Sequence, residues 1–370
     1  MSDFVGVGVG VVGAGAIFDQ HALALSALDG RARLVGVCDV DDTKLRAAAS
    51  AHRGAIVCRD FAALLDRPDV DLVAVCTPPA FHEEAVVGAL RAGKHVVCEK
   101  PLAPTLAAAD RIIAVAREQP GRLSVVHQFR YLPAVRRTLW VRDAGELGSL
   151  LFGRFHRLAR FRRPGRAARA PWWGSWDIAG GGTVMTQLIH ELDLACLLFG
   201  PAAQVSAVAD TLNAEIESED TCASVVRFGS GAIVTCQSTM CAHRSRAGFD
   251  VIGTCGSAHS PWAFECLDHV HREQVRTAAL AAVPDSDATA SAHAPYLADV
   301  LDAVEAGQAL PSGPTEARPS LELATAIYAA SVSGESVTLP IGPSHPCYGG
   351  ITRADYEGRP SRGGEVSVAA

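Results

Sequence analysis

The chain has 370 residues, which is enough for two domains and a large core. Hydrophobic residues make up 49% and charged residues 20%, and the formal net charge is −7, so the composition is globular and excludes a general nucleic-acid binder. The 11 cysteines include no CxxC pair, which argues against a disulfide scaffold or a zinc ribbon and favours the reducing cytoplasm. The N-terminus lacks a positive region and the chain lacks a run of about 18 apolar residues, so we expect no signal peptide and no membrane partner.

Residues 5 to about 126 alternate short apolar runs with helical patterns. The runs, such as VDLVAVCT (residues 70–77), are rich in β-branched residues and carry few charges. Strands that are covered by helices on both faces have this composition. Residues 1–126 are therefore predicted to form a Rossmann-type, doubly wound parallel sheet.

The pattern after residue 127 is that of an α+β domain. Four helices are predicted, near 132–143, from 183 to 200, near 291–307 and near 316–334. Strand-like runs follow one another between them, and FGSGA (residues 228–232) is typical of a hairpin. We expect a substrate and oligomerisation domain with a large, mainly antiparallel sheet over 127–345. An extended or mobile tail is expected over 346–370.

The stretch VGVVGAGAIF (residues 9–18) ends the first predicted strand and begins the first helix. Gly13 and Gly15 allow a tight turn and the close approach of a pyrophosphate, and the N–H groups of Ala16 and Ile17 would then face the phosphates. Phe18 stands where a third small residue is usual. A purely structural turn is the alternative interpretation.

The second predicted strand ends at Asp39, roughly 20 residues beyond the glycine turn. A carboxylate at this point can accept hydrogen bonds from the ribose hydroxyls of NAD, and it would repel the extra phosphate of NADP. The sequence therefore predicts NAD as the cofactor, although a solvated aspartate at a strand end is the alternative. Asp41 and Asp42 are expected to cap the next helix.

Three further motifs stand later in the chain: CTPPAFH (residues 76–82), EKP (residues 99–101) and GGGTVMTQLIHELD (residues 180–193). Together with the glycine turn and Asp39, they resemble the Gfo/Idh/MocA family of glucose-fructose oxidoreductases and inositol dehydrogenases. The resemblance extends from Val5 to about Tyr348. It implies an NAD(H)-dependent oxidoreductase that oxidises, or in reverse reduces, a ring hydroxyl of a sugar, an aminosugar or aminoglycoside-type compound, or a cyclitol.

The resemblance also implies roles for individual residues. Thr77, Pro78 and His82 would line the nicotinamide side of the cofactor. Glu99 and Lys100 would lie at the carboxyl end of a central strand, where both are predicted to bind the cofactor. The family's EKP proline often follows a cis peptide.

His190 matches the active-site histidine of the family. Histidine titrates near neutral pH and can accept the proton of a hydroxyl, and Lys100 can stabilise the developing alkoxide. Both are therefore predicted to be catalytic. Asp193, three residues later, is interpreted as a charge on the helix face rather than as an orienting partner.

One position departs from the family pattern. Many members have an aspartate one turn before the histidine, where this chain has Thr186 followed by Gln187. Threonine can bind the substrate or the imidazole, but it cannot hold a positive histidine as a carboxylate would. The pair resembles the branch that acts on modified or nucleotide-linked sugars, so both residues are predicted to bind substrate.

Two segments are candidates for the substrate side. HQFRYLPA (residues 127–134) supplies Arg130 and Tyr131, for which a salt-bridged arginine and a packed tyrosine are the alternatives. Residues 154–169 contain seven arginines and no acidic residue, and three tryptophans follow, Trp172, Trp173 and Trp176. This region resembles the WRGTW loop of the family and would suit a lid over a sugar or an anion. A loop that folds onto an acidic neighbouring subunit is the alternative.

Three functions remain open at this point. The first is a dehydrogenase with exchangeable NAD, the second an enzyme such as a nucleotide-sugar dehydrogenase that retains and recycles its NAD, and the third a sensor of the cofactor without turnover. No metal site is predicted. By analogy with the family, we expect a homodimer or homotetramer formed through an exposed, half-apolar sheet face.

Overall fold

The computed structural model describes residues 6–28, 30–119, 122–160, 172–285 and 292–359. Within these residues, a parallel sheet of six strands has the order β3-β2-β1-β4-β5-β6. Its strands are β1 (Val7–Val12), β2 (Ala32–Cys38), β3 (Ile56–Cys58), β4 (Leu72–Val75), β5 (His95–Cys98) and β6 (Leu123–Val125). The connecting helices are α1 (Ala16–Ala27), α2 (Asp42–Ala51), α3 (Phe61–Leu65), α4 (His82–Arg91) and α5 (Leu106–Glu118). This is the Rossmann strand order, and it confirms the predicted fold.

The strand order reverses between β1 and β4, and ligands of open α/β sheets bind outside the carboxyl ends of the strands at such a point. Gly13 follows β1 and Cys76 follows β4. A Cβ atom added at Gly13 would lie 2.7 Å from the backbone carbonyl of Cys76, and Gly13 has a φ of +97°. The turn therefore requires glycine at this position.

The remaining part of the chain builds a second sheet in the order β13-β12-β11-β7-β10-β9-β8-β14. Its elements are α6 (Pro133–Asp143), β7 (Leu150–Arg160), α7 (Trp176–Ala179), α8 (Ile189–Phe199), β8 (Ala202–Asp210), β9 (Thr221–Phe228), β10 (Ile233–Ala242), β11 (Arg246–Gly253), β12 (Ser257–His259), β13 (Ala263–Glu265), α9 (His269–Ala282), α10 (His293–Glu305), α11 (Pro314–Ser333), β14 (Val337–Thr338) and α12 (Arg353–Glu357). Among the described strands, β7 and β10 pair in parallel and the other pairs of this sheet are antiparallel. The mainly antiparallel sheet is as predicted.

One face of the second sheet is covered and the other is open. Helices α8 and α11 pack on the covered face, where β8 and β9 direct every second side chain. The open face carries the exposed side chains of Val208, Val225 and Ile233. This is the half-apolar face expected from the sequence, and its use for pairing between subunits stays a prediction.

Helix α10 returns to the first sheet. It packs against α1, and Tyr296 and Leu297 join the buried cluster formed by β1 and α1. The segment predicted as the substrate domain thus also supplies a helix to the nucleotide-binding fold. Among the described residues, no helix is both long and apolar enough to cross a membrane.

Several described elements were not predicted from the sequence, and the longest of them are β7 and α9. Strand β7 contains the first arginines of the Arg-rich segment, and there Arg154 pairs with Asp250. The interpretation of these arginines as part of a loop is therefore wrong, whereas residues 161–169 lie outside the described residues.

The tail prediction also needs correction. Residues 346–359 form the short 3-10 helix Pro346–Gly349 and helix α12, and Tyr356 is buried within the core. An extended or mobile tail is thus wrong for this part. Residues 360–370 lie outside the described residues.

Candidate active site

The phosphate turn lies at the start of α1. Gly15 is the N-cap residue of this helix, and a Cβ atom added there would meet nothing within 4 Å. The first N–H groups of a helix have no intrahelical acceptor, so those of Ala16 and Ile17 face this space. An open space lined by N–H groups fits a pyrophosphate. Phe18 does not obstruct it, because its side chain is buried and contacts the ring of His52 edge-on.

Asp39 is fixed against this turn. Its Oδ2 accepts a hydrogen bond from the N–H of Ala14 at 2.7 Å, and its Oδ1 accepts one from Asp41 at 2.9 Å. The carboxylate is 9% exposed, and Lys44 Nζ lies 3.6 Å from Oδ2. Each oxygen retains a second lone pair for a ribose hydroxyl. Asp41 caps α2 as predicted, accepting from two backbone N–H groups.

His82 joins the turn after β4 to the turn after β5. Its ring nitrogens lie 2.8 Å from the carbonyl oxygen of Thr77 and 2.9 Å from that of Pro101. The ring is fully buried, and this burial lowers the pKa of His82. Thr77 Oγ1 is buried without a hydrogen-bond partner among the described residues. Pro78, which follows Thr77, precedes a 3-10 turn. The contact of these three residues with the nicotinamide stays a prediction.

The lysine of EKP reaches the other half of the site. The peptide between Lys100 and Pro101 is cis, as the resemblance implies. Lys100 Nζ donates a hydrogen bond to the carbonyl oxygen of Thr186 at 2.9 Å. Two motifs that are 86 residues apart in the sequence therefore meet at the carboxyl end of β5.

The glycines of GGGTVMTQLIHELD allow this approach. A Cβ atom at Gly180 would lie 2.6 Å from the carbonyl oxygen of Pro104, shortly after EKP. One at Gly182 would lie 1.8 Å from the carbonyl oxygen of Glu219. The buried carboxylate of Glu219 also accepts hydrogen bonds from the N–H groups of Gly182 and Val184. Burial raises its pKa to about 7.

The helix that carries the histidine begins with a π-helical turn over Val184–Leu188, and α8 follows. Single π-helical turns are common at functional sites. Thr186 lies in this turn, and its hydroxyl donates to the carbonyl oxygen of Gly182 at 2.7 Å. The hydroxyl that was predicted to bind substrate is thus engaged by its own helix, whereas Gln187 beside it is half-buried.

His190 is a buried, neutral imidazole. Its ring stacks on Phe129 at a centroid distance of 4.1 Å, and it is 7% exposed. Burial lowers the pKa of His190 well below its ordinary value, and the positive charges of Lys100 and Arg157 lower it further. The unshifted titration assumed from the sequence is therefore corrected: this imidazole stays unprotonated at neutral pH and can accept a proton.

Asp193 is a buried partner of Arg130. The carboxylate is 2% exposed and accepts two hydrogen bonds from the guanidinium, at 2.6 and 2.8 Å. Its interpretation as a charge on the helix face is therefore wrong. Arg130 also pairs with Glu316, and Tyr131 packs edge-on against Tyr296. Both alternatives weighed for Arg130 and Tyr131 are thus seen, and their contact with substrate stays a prediction.

A second buried ion pair was missed by the sequence analysis. Arg157 donates to Glu191 at 2.5 Å, and its guanidinium lies 4.7 Å from the ring centre of Phe129. Burial raises the pKa of Glu191 to about 7, although the neighbouring arginine opposes the shift. Phe129 therefore contacts both this pair and His190. Sequence spacing carries no signal for such contacts, since they join β7, α8 and the turn before α6.

The tryptophans follow the undescribed part of the Arg-rich segment. Trp172 and Trp173 are half-buried, and Trp172 provides its carbonyl oxygen to Ser175. Trp176 is buried and packs against Tyr328 and Tyr356, so it belongs to the core. Contact of the first two with a sugar ring stays a prediction.

Comparison with known proteins identifies the family. Residues 7–127 match the model of an oxidoreductase family with an NAD-binding Rossmann fold, and residues 137–259 match the GFO/IDH/MocA C-terminal domain. The chain belongs to the GFO/IDH/MocA family. This assignment confirms the resemblance, the fold class and NAD as the cofactor of the first domain.

Members of the GFO/IDH/MocA family with related sequences and structures are known. The chain is 33% identical over 225 residues to 1-carboxy-3-chloro-3,4-dihydroxycyclohexa-1,5-diene dehydrogenase of Comamonas testosteroni, a match that covers 60% of this chain and 55% of that protein. A match to the D-apiose dehydrogenase of Paraburkholderia graminis covers 59% of that protein, at 29% identity over 61% of this chain. The chain thus spans little more than half the length of these curated relatives.

The fold is similar to that of a solved dehydrogenase structure over nearly the whole length of both chains. The WlbA dehydrogenase from Bordetella pertussis, in complex with NADH and UDP-GlcNAcA, has a TM-score of 0.81 at 26% identity. The match covers 91% of this chain and 98% of that one. The arrangement of both domains is therefore that of the family.

Proposed function

We propose that the chain is an NAD(H)-dependent oxidoreductase that oxidises, or in reverse reduces, a ring hydroxyl of a sugar, an aminosugar or a cyclitol. One observation carries the proposal: the hydrogen bond from Lys100 to Thr186, which joins the end of β5 to the helix of His190. The contact supports the proposal because it brings the lysine that follows β5 next to the π-helical turn that leads into His190. An amine and an imidazole suit the dehydrogenation of an alcohol, because one can stabilise the alkoxide and the other can accept the hydroxyl proton.

The residues divide the work as follows. The first turn of α1 would hold the pyrophosphate, and Asp39 would hold the ribose. NAD, when bound, accepts or returns the hydride. Lys100 would donate a hydrogen bond to the substrate oxygen and stabilise its negative charge. His190, which is neutral, would accept the hydroxyl proton during oxidation.

The experiment is a screen of substrates. Purified protein with NAD would be incubated with a panel of sugars, aminosugars, aminocyclitols and inositols, and the formation of NADH would be recorded. We expect saturable turnover with at least one ring alcohol. The same panel with NADP is the cofactor control, and absence of turnover with every compound in both directions would contradict the proposal.

A nucleotide-sugar dehydrogenase that retains its NAD is the second candidate. The structure of WlbA with NADH and UDP-GlcNAcA, at 26% identity, favours it. A protein of this kind would be purified with NAD(H) bound, and a UDP-sugar would reduce that bound cofactor without added NAD. A cofactor sensor, the third hypothesis, would bind NAD and show no hydride transfer with either class of substrate.

A further inference from the structure

A buried cluster of His21, Glu99 and His293 lies directly behind the catalytic lysine. Glu99 Oε1 is 2.8 Å from Nε2 of His21 on α1 and 3.5 Å from Nε2 of His293 on α10. The side chains are 1 to 6% exposed. The second oxygen, Oε2, accepts a hydrogen bond from the backbone N–H of Lys100 at 3.3 Å.

We propose that this cluster is a positioning site for Lys100, in which the two imidazoles hold the Glu99 carboxylate as an anion that sets the orientation and the charge of the lysine. The inference rests on the proposed function, because it assigns a role in the same reaction. Glu99 and the two histidines act through Lys100 and are therefore positioning residues.

Geometry and burial favour an anion that is held by a hydrogen bond from His21 and by a longer contact of 3.5 Å with His293. Burial opposes the ionisation of Glu99, but the two imidazoles outweigh it and hold its pKa well below the ordinary value. His21 Nδ1 is buried without a hydrogen-bond partner among the described residues, so Nε2 is the ring nitrogen that binds Glu99. A buried charge is stable only with such partners.

The cluster also joins three parts of the cofactor cleft. His21 lies on the helix whose first turn faces the phosphates, Glu99 follows β5, and His293 begins α10. A change in any of these elements would therefore reach the backbone N–H of Lys100 through Glu99.

The same three side chains could hold a metal ion, since their ligand atoms lie within 4.8 Å of one another. The distance of 2.8 Å between His21 and Glu99 argues against it, because it is the length of a hydrogen bond. Two ligands of a tetrahedral zinc ion lie roughly 3.3 Å apart.

Other ionisable groups share this environment. Among the described residues, those that interact electrostatically with Glu99 or Lys100 include Cys76, His82, Cys98, His127, His190, Glu191 and Tyr296. A pH profile of the reaction alone would mix all of them. The titration of Lys100 therefore has to be followed at the lysine itself.

The test measures the reactivity of Lys100 toward acetic anhydride as a function of pH, by mass spectrometry of the NAD-loaded full chain. In Glu99→Gln, the loss of the negative charge should move the labelling midpoint down by about one pH unit. Glu99→Asp keeps the negative charge, so its labelling midpoint should lie between those of Glu99→Gln and the wild type. His21→Asn and His293→Asn keep the carboxylate and should each give a smaller shift in the same direction.

Asp220→Asn is the matched control. Asp220 is a fully buried carboxylate of the second sheet that accepts hydrogen bonds from the N–H groups of Leu212, Asn213 and Ala214. This variant should lower the thermal midpoint and leave the labelling of Lys100 unchanged. With a substrate in hand, Glu99→Gln should lower kcat about 10- to 100-fold with little change in KM.

Unchanged labelling of Lys100 in a folded Glu99→Gln protein, or in both histidine variants if that protein does not fold, would overturn the inference. Stoichiometric zinc in the purified chain, with a visible absorption spectrum after replacement by cobalt, would overturn it in favour of a metal site. The labelling does not depend on turnover. If the chain oxidised none of the tested compounds, the proposed function would be refuted, and the labelling would still test this inference.

Discussion

The ammonium group of Lys100 and the carbonyl oxygen of Thr186 lie 2.9 Å apart. This hydrogen bond connects a strand end of the NAD-binding sheet to the π-helical turn that precedes His190. It thus joins the first sheet to the helix that carries the candidate base.

Asp39 should determine the choice of cofactor. We expect the protein to prefer NAD over NADP at least ~100-fold in kcat/KM, because the carboxylate repels a 2′-phosphate. Asp39→Ala removes the negative charge, so it should reduce the preference for NAD over NADP. It also removes the acceptor of the Ala14 N–H, so it should raise the KM for NAD. Lys44→Ala is the control: its contact with Asp39 is half-exposed, so it should change either value little. A strong preference of the wild type for NADP would refute the assignment.

The two glycines of the phosphate turn should differ in their sensitivity. An alanine at Gly15 meets open space, so Gly15→Ala should change the free energy of unfolding by less than about 1 kcal/mol. It should nonetheless weaken NAD binding about tenfold or more, because the added methyl occupies the place of the pyrophosphate. Gly13→Ala should instead lower stability by more than about 2 kcal/mol, owing to its φ of +97° and the clash with Cys76. Calorimetry of both variants with and without NAD checks this, and tight NAD binding by Gly15→Ala would place the phosphates elsewhere.

The pH profile of oxidation should reflect a neutral histidine. Because burial and two cations lower the pKa of His190, the ring is protonated only under acidic conditions. The acid limb of kcat/KM that belongs to His190 should therefore lie well below the ordinary range of a histidine. It is identified as the limb that His190→Asn abolishes. If the limb that His190→Asn abolishes lay near pH 7, burial and the charges of Lys100 and Arg157 would not determine the pKa of His190 during the reaction.

Glu191 should make stability depend on pH. Its pKa is raised from 4.5 to about 7, so the folded chain binds a proton that the unfolded chain has lost between these values. Protonated Glu191 therefore contributes to the free energy of unfolding at low pH, and this contribution is lost as the pH rises through the same range. Glu191→Gln lacks the effect, so the thermal midpoint of the wild type relative to this variant should decline from pH 5 to pH 8. A constant difference across that range would refute the raised pKa.

The sequence predicted most of the fold because the signals were local. Apolar β-branched runs indicated the six parallel strands, and FGSGA indicated the β9–β10 hairpin. Strand β7 was missed because Arg154, Arg157 and Arg160 interrupt the apolar pattern that is typical of a strand. Their charges are balanced by residues distant in sequence, and local patterns do not show such partners.

The site was predicted in part for the same reason. EKP and the glycine-rich helix start are short motifs, so Lys100 and His190 could be named. The burial of Asp193 against Arg130 depends on a contact 63 residues away, and the π-helical turn depends on tertiary packing. Likewise, His21 is a single histidine on an apolar helix face until α10 brings His293 beside it.

Hydride transfer in a single turnover tests the central claim most directly. Wild type, Lys100→Met and His190→Asn would be saturated with NAD, mixed with the alcohol found in the screen, and followed by the rate of NADH formation. The account predicts a loss of about 100-fold or more in each variant, with the Kd for NAD within about threefold of wild type. Rates near that of the wild type in both variants would contradict it.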